Sequence, residues 1–156
     1  APTAALDLEK EAYIAFTADI YGEGNTPADN AAAAKLSGSY KNDYKAYQHR
    51  IALALDQLKE QGALANKIAV IGYCFGGTGA LEAARAEFEV QVVVSIHGGL
   101  SKDLVKELEA GNADWQIIIY ANTGHTFTNP ESHEYDEVMA KRAWNHTLLF
   151  LEEVLK

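Results

Sequence analysis

The fold of this chain is decided by the stretch Lys67-Ile68-Ala69-Val70-Ile71-Gly72-Tyr73-Cys74-Phe75-Gly76-Gly77. Its short apolar run, residues 68–71, predicts a buried strand, and residues 78–87 predict a helix. The Gly-x-Cys-x-Gly between them is typical of a nucleophile elbow, with cysteine at the position where serine is commoner. Such a turn holds its central residue in a strained backbone conformation, which we expect to have a positive φ. Because strand and helix nearly touch there, Gly72 and Gly76 are predicted to be the positions that must stay small.

Cys74 is therefore the first candidate for chemistry. Its sulfur is predicted to stand exposed at the N-terminus of the following helix, where partial positive charge favours the thiolate. Two other interpretations remain open. The residue can be a structural cysteine, since free cysteines are commonly buried, or the glycine-rich turn can cradle a phosphate. The sequence contains neither GxxxxGK[ST] nor GxGxxG, and the agreement of strand, spacing and helix favours the nucleophile.

Composition places the 156-residue chain among single-domain proteins, and we expect one domain over residues 1–156. The net charge of −9 argues against nucleic acid and anionic membranes as partners. No apolar run reaches the length of a membrane span, and no signal peptide is recognisable. The one cysteine excludes an internal disulfide and fits a reducing compartment, so a cytoplasmic location is expected. The five histidines follow no metal-ligand spacing, and neither metal nor cofactor is expected.

Strand and helix patterns alternate along the chain. Aromatic and β-branched content predicts strands at 12–18, 68–71, 90–96 and 115–120. Helices are predicted at 28–36, 43–61, 78–87 and 102–110, with a break at residues 37–39, and a last helix opens within 130–133. That last helix is expected to turn Val138, Leu148, Leu151 and Leu155 inward. The alternation predicts an α/β fold with a mainly parallel sheet of about four strands and helices on both faces.

Three chemically active residues follow the carboxyl ends of predicted strands: Cys74, His97 and His125. Ligands of open α/β sheets bind outside those ends. His125 is the first candidate for the general base, because nucleophile before histidine is the chain order of this architecture. A loop histidine without a catalytic role is the alternative. His97 is the weaker candidate, since His-Gly-Gly is equally a turn.

The remaining parts of a hydrolytic site are less clear in the sequence. The backbone N–H of Phe75, which opens the helix after the turn, is the natural first oxyanion donor. Gly98 and Gly99 are weaker candidates for a second donor. No residue stands where an acid that orients His125 would be expected, and four carboxylates are candidates by default: Asp103, Asp114, Glu131 and Glu134.

With these residues in view, the chain resembles the dienelactone hydrolase family of the α/β-hydrolase fold. The matching segments are Tyr13-Ile14-Ala15-Phe16, Asp19-Ile20-Tyr21-Gly22, Gly72-Tyr73-Cys74-Phe75-Gly76-Gly77, His97-Gly98-Gly99-Leu100, Asp114-Trp115-Gln116, Gly124-His125-Thr126-Phe127-Thr128-Asn129-Pro130 and Ala143-Trp144. The resemblance implies Cys74 as nucleophile, His125 as base, and hydrolysis of small esters or lactones through an acyl-enzyme. An aromatic pocket for the acyl group is a further expectation, with Tyr21, Tyr73, His97 and Phe127 as lining residues.

The chain also departs from that family in two ways. It begins near the helix that precedes Tyr13, and no strand carrying the triad aspartate lies between Ile96 and Trp115. We therefore expect a reduced fold with exposed sheet edges, which are a liability in a monomer. A homo-oligomer, with exchange of strands or helices possible, is the predicted outcome. The alternative function is a catalytically degenerate binding or assembly module, and a redox-sensing cysteine is a weaker third.

Overall fold

The computed structural model describes residues 2–99, 103–110 and 115–156. Its elements in chain order are α1 (Pro2–Lys10), α2 (Asn30–Asn42), α3 (Tyr44–Glu60), β1 (Ala69–Tyr73), α4 (Phe75–Arg85), β2 (Val92–Ile96), α5 (Leu104–Ala110) and α6 (Glu137–Leu155). Within these residues no helix is both long enough and apolar enough to cross a bilayer.

The centre of the fold is a β1–α4–β2 unit. The two strands are parallel, with Ala69 opposite Val92 and Tyr73 opposite Ile96. The N–H of Cys74 donates to the carbonyl of Ile96 at 3.1 Å, which continues the pairing by one residue past the end of β1. Helix α4 packs on both strands, as expected for the crossover helix of a parallel unit. This unit brings the carboxyl ends of β1 and β2 together at one edge.

Helices cover both faces of the strand pair. On one face, Tyr47, Ile51 and Leu55 of α3 form a buried cluster with Ile68, against which Val70 packs. These α3 residues recur every four positions, so they share one side of the helix. Asp43 caps α3, since its side chain accepts from the N–H of Ala46.

The opposite face belongs to α6. Leu151 and Leu155 are buried against Val92 there, and Ala69 and Ile71 pack against the same cluster. Alternate residues of β1 thus face opposite helices, as the two-residue period of a strand requires. The predicted α/β architecture of a reduced hydrolase-like fold, with helices on both faces of a small parallel sheet, is confirmed.

The number of strands is smaller than predicted. The described residues contain a two-stranded sheet, and neither 12–18 nor 115–120 forms a strand or helix. Both segments expose apolar side chains: Ile14 is 71% exposed and Ile119 is 88% exposed. Their β-branched and aromatic content led to the strand prediction, but strand propensity chiefly reflects packing against neighbours. No neighbouring strand pairs with them in the described residues.

Two helix boundaries also differ from the prediction. Helix α2 continues through residues 37–39, and the hydroxyls of Ser37 and Ser39 donate to carbonyls one turn earlier instead of breaking it. Helix α6 begins only at Glu137, where Asp136 caps it by accepting from the N–H of Met139. Val138 therefore lies in the first turn and is 61% exposed, although the sequence predicted that it faces inward.

Candidate active site

The turn between β1 and α4 has the strained geometry that its glycines predict. Cys74 has φ 52° and ψ −113°, a conformation that a residue with a side chain rarely adopts. A Cβ on Gly72 would lie 1.9 Å from the carbonyl oxygen of Gly76, so only glycine fits there. Apart from its chain neighbours and the backbone of its own helix, a Cβ on Gly76 would meet no heavy atom of the described residues within 4 Å, so the requirement predicted for Gly76 is wrong. Gly77 is the tight position after the cysteine, because its Cβ would lie 2.8 Å from the Cα of Gly98.

The side chain that contacts the thiol is that of His97. Its Nδ1 lies 3.2 Å from the Sγ of Cys74. Its other nitrogen, Nε2, lies 2.8 Å from the hydroxyl oxygen of Thr128. When Nε2–H donates to Thr128, Nδ1 is the free acceptor and the thiol S–H donates to it. His97 itself has φ 41°, so the residue after β2 is also held in a left-handed conformation.

Both members of this pair are held in their neutral forms. Burial raises the pKa of the Cys74 thiol, and the positive charge of Lys41 opposes that shift. Burial also lowers the pKa of His97, and the neighbouring His125 lowers it further. The resting state near neutral pH is thus a thiol beside a neutral imidazole. Burial of the sulfur therefore opposes the thiolate that the helix N-terminus was predicted to favour.

His125 completes the group from the mouth of the site. Its ring centroid lies 5.1 Å from that of His97. One donor atom each from Cys74, His97 and His125 lies within 4.8 Å of the other two. His125 is exposed, whereas the other two are partly buried. The structure thus brings together the three residues that the sequence placed past strand ends, but it gives the direct contact with sulfur to His97.

The loop that carries His125 is anchored by Glu134. The carboxylate accepts from the N–H of Thr126 at 3.0 Å and from the Thr126 hydroxyl at 2.8 Å. A Cβ on Gly124 would lie 2.5 Å from the carboxyl carbon of Glu134, so the chain passes directly over this side chain. The bond from the Thr126 backbone, then that from its hydroxyl, lowers the pKa of Glu134; the positive charges of His133 and His125 contribute less.

Glu134 is one of the four acids that the sequence left as candidates by default. Asp114 lies outside the described residues. The carboxylate of Asp103 accepts from Lys106 at 3.0 Å, within its own turn. Glu131 is exposed. Neither Glu134 nor Thr128 could be assigned a role from sequence spacing. The sequence signal for both residues was position alone: Thr128 ends the Gly-His-x-Phe-Thr run, and Glu134 follows that run.

The first turn of α4 offers the expected oxyanion donor. The first N–H groups of a helix have no acceptor within it, and within the described ranges no acceptor is found for the N–H of Phe75. Gly99 is not free to act as a second donor, because its N–H donates to the hydroxyl of Thr78 at 3.2 Å.

The aromatic residues predicted to line a pocket divide into two groups. Tyr73 and Phe127 surround the site, with ring centroids 6.0 Å and 5.9 Å from that of His97. Tyr21 lies beyond the helix start, where its ring stacks on Phe75 at 5.4 Å. Phe75 in turn stacks on Tyr47, whose hydroxyl donates to the Phe75 carbonyl at 2.8 Å. Tyr21 and Tyr47 thus pack on Phe75, the first residue of α4.

Comparison with known proteins identifies the family to which the sequence and the fold of this chain are similar. A sequence model of the dienelactone hydrolase family matches residues 4–106 and 99–155. A solved structure titled m3DLH superposes on the whole chain with a TM-score of 0.92 and 27% identity, and 81% of that chain is covered. A probable 2-oxo-3-(5-oxofuran-2-ylidene)propanoate lactonase of Bradyrhizobium sp is 23% identical over 188 residues, covering 94% of this chain and 75% of the lactonase. An uncharacterized protein of Caenorhabditis elegans, K02A2.1, is 28% identical over 144 residues, covering 67% of this chain and 91% of its own length.

The match to the family model is interrupted in the middle of the chain. The two stretches that fit the family model meet at residues 99–106. The alignment with the lactonase spans 188 positions, whereas 94% of the 156 residues is about 147, so the rest lie opposite gaps in this chain. The meeting point of the two stretches lies between Ile96 and Trp115, where the sequence led us to expect no strand carrying a triad aspartate.

Proposed function

The chain belongs to the dienelactone hydrolase family, and on that premise we propose that it hydrolyses carboxylic esters or lactones through an acyl-enzyme on Cys74. The single observation that carries the proposal is the position of the thiol. It sits on a positive-φ turn at the start of α4, 3.2 Å from one imidazole and with a second in the same cluster. The lactonase named above supports lactones as a substrate class.

The reaction follows from these groups. A histidine takes the proton of the Cys74 thiol while sulfur attacks the carbonyl carbon. The oxyanion that forms accepts from the N–H of Phe75. The C–O bond then breaks, and the alkoxide leaves as an alcohol with the proton from the imidazolium. In the second half, the same imidazole removes a proton from water, hydroxide attacks the thioester, and the carboxylic acid is released as Cys74 regains its proton.

We assign the general base to His125 and a holding role to His97. Burial and a neighbouring histidine lower the pKa of His97, which disfavours the imidazolium that a general base must become. His125 is exposed and within reach of water, and Glu134 anchors the loop that carries it. His97 keeps the thiol directed toward the mouth until substrate enters.

The activity is tested with p-nitrophenyl butyrate, a short acyl ester, in wild type and Cys74→Ala. We expect slow turnover by the wild type and none above background in the variant. His49→Ala, which changes an exposed histidine on α3, is the matched control and keeps full activity. Wild-type turnover that persists in Cys74→Ala refutes the assignment. A burst of one equivalent without turnover supports the acyl-enzyme and refutes efficient deacylation. Absence of any reaction favours a degenerate binding module.

A homo-oligomer is the second part of the proposal. The exposed Ile14 and Ile119 lie on segments with strand-like composition and no partner in the described chain, and a second copy can cover them. The natural setting we propose is the cytoplasm, where a lone thiol stays reduced.

A further inference from the structure

We propose that Cys74, His97 and His125 together bind one zinc ion. Their donor atoms, one sulfur and two ring nitrogens, lie within 4.8 Å of one another. Around a tetrahedral zinc with bonds of about 2.0 to 2.3 Å, neighbouring ligand atoms lie roughly 3.3 to 3.8 Å apart. The sulfur and Nδ1 of His97 are already 3.2 Å apart. Closing the longest separation takes a shift of about 1 Å, which the exposed His125 ring can make.

The chemistry of the donor set fits this ion. Thiolate and neutral imidazole are the ligands that zinc takes most often in proteins. A set of three such ligands leaves a fourth position for water, and the exposed side of His125 gives the ion an entry path. The chain carries a net charge of −9, which favours the approach of a cation.

Thr128 provides the outer contact that metal-binding histidines usually have. Its hydroxyl oxygen lies 2.8 Å from Nε2 of His97. A histidine that donates one N–H to such a partner presents the other nitrogen with its lone pair free and its ring direction held. In this structure the free nitrogen is Nδ1, the atom that faces the sulfur.

No metal was expected from the sequence, because the ligands follow no motif. They lie at positions 74, 97 and 125, each after a different segment. Cys74 and His97 come together because β1 and β2 end at one edge of the sheet, and the loop anchored by Glu134 brings His125 to them.

Zinc at this site is an inhibitor of the proposed reaction. The sulfur lone pair that attacks a carbonyl carbon would bind the metal, and both imidazoles would lose the nitrogen that accepts a proton. Inhibition therefore rests on the proposed function, whereas binding of the ion does not.

The binding test uses Co²⁺ as a spectroscopic substitute for zinc on chelator-treated protein. We expect one Co²⁺ per chain, with a sulfur-to-metal charge-transfer band, and competition by Zn²⁺. Cys74→Ala removes the band, and His97→Ala and His125→Ala each weaken Zn²⁺ binding by at least about tenfold. Thr128→Val keeps every ligand and weakens binding by about 10- to 100-fold, the range typical of outer contacts. His49→Ala is the matched control with unchanged affinity, and circular dichroism verifies the fold of each variant.

Two results overturn the site: absence of a sulfur-to-metal band in folded wild type, or Zn²⁺ affinity that is unchanged in Cys74→Ala. Ester hydrolysis is assayed in parallel, with chelator and with added Zn²⁺. Protein that shows the band but no ester turnover with chelator refutes the proposed hydrolase and supports the metal site. Protein that hydrolyses the ester, is not inhibited by Zn²⁺ and shows no sulfur-to-metal band refutes the metal site and leaves the proposed hydrolase standing.

Discussion

Glu134 accepts two hydrogen bonds from Thr126, one from its backbone N–H at 3.0 Å and one from its hydroxyl at 2.8 Å. Thr126 directly follows His125, so this contact sets the path of the loop that brings His125 to the thiol. From the sequence, the carboxylate that helps to place the histidine could not be assigned, and Glu134 was one of four candidates. Glu134 acts here as a positioning residue, because it touches the loop and not the reacting atoms.

Glu134→Gln is expected to lower kcat of ester hydrolysis by about tenfold with little change in KM. The amide keeps the size of the side chain but offers one acceptor oxygen and weaker, uncharged hydrogen bonds. A merely structural role would lower the amount of folded protein and leave kcat per folded chain unchanged. Glu131→Gln is the control, since Glu131 is an exposed acid on the same loop. Equal kcat values for the two variants would contradict the role.

The same carboxylate predicts a pH dependence of stability. Its hydrogen bonds hold the pKa of Glu134 below the ordinary value of 4.5 in the folded protein. The stabilisation is therefore present above about pH 4.5 and is lost as the pH falls through the lower folded pKa. We expect the Tm of wild type to exceed that of Glu134→Gln near neutral pH, with the difference shrinking below about pH 4. Thermal denaturation followed by circular dichroism measures it, and a difference that grows on acidification would have the wrong sign.

Alanine substitutions distinguish the catalytic roles of His125 and His97. His125→Ala is expected to lower kcat/KM by about 10²- to 10⁴-fold, the range for loss of a general base. His97→Ala is expected to cost only about tenfold, because it removes a group that holds the thiol. His133→Ala, an exposed histidine beside Glu134, serves as the control. A larger loss of kcat/KM in His97→Ala than in His125→Ala would assign the general base to His97 instead.

The glycine pair at the turn gives a prediction on stability. A Cβ on Gly72 would lie 1.9 Å from a backbone oxygen, so Gly72→Ala is expected to cost about 3 kcal/mol or more in the free energy of unfolding. Gly76→Ala has open space and lies within α4. It is expected to stabilise the protein by up to about 1 kcal/mol through helix propensity. Urea denaturation of both variants measures the two values, and similar losses for the pair would contradict the close approach.

The exposed apolar segment before the His125 loop predicts association. Wild type is expected to scatter light as more than a monomer at low micromolar concentration, and Ile119→Lys to shift it toward the monomer. Ile119 is 88% exposed on a strand-like segment, and a lysine there opposes edge pairing. Leu64→Lys is the control, because Leu64 is 63% exposed at the start of a turn in another part of the sequence. A monomeric wild type would rule out the oligomer.

Local features of the chain were readable from the sequence because they depend on neighbours along it. The glycines around Cys74 predicted its positive φ, and the apolar run at residues 68–71 predicted the strand that precedes it. Parallel strand topology predicted that Cys74 and His97 converge, because the carboxyl ends of such strands share one edge. His125 joins them from a loop, although the strand predicted before it, at residues 115–120, is absent.

Only the tertiary structure decided how those residues act on one another. His97 touches the sulfur because Thr128, 31 residues further on, holds its ring, and no local pattern encodes such a contact. The same holds for the thiol, since a helix N-terminus is visible in sequence but the burial that raises the pKa of Cys74 is not. Residues 12–18 and 115–120 have the composition of strands, yet a strand exists only where another backbone lies alongside to pair with it. Composition and spacing determine local conformation, whereas distances between segments far apart in the chain are set by packing.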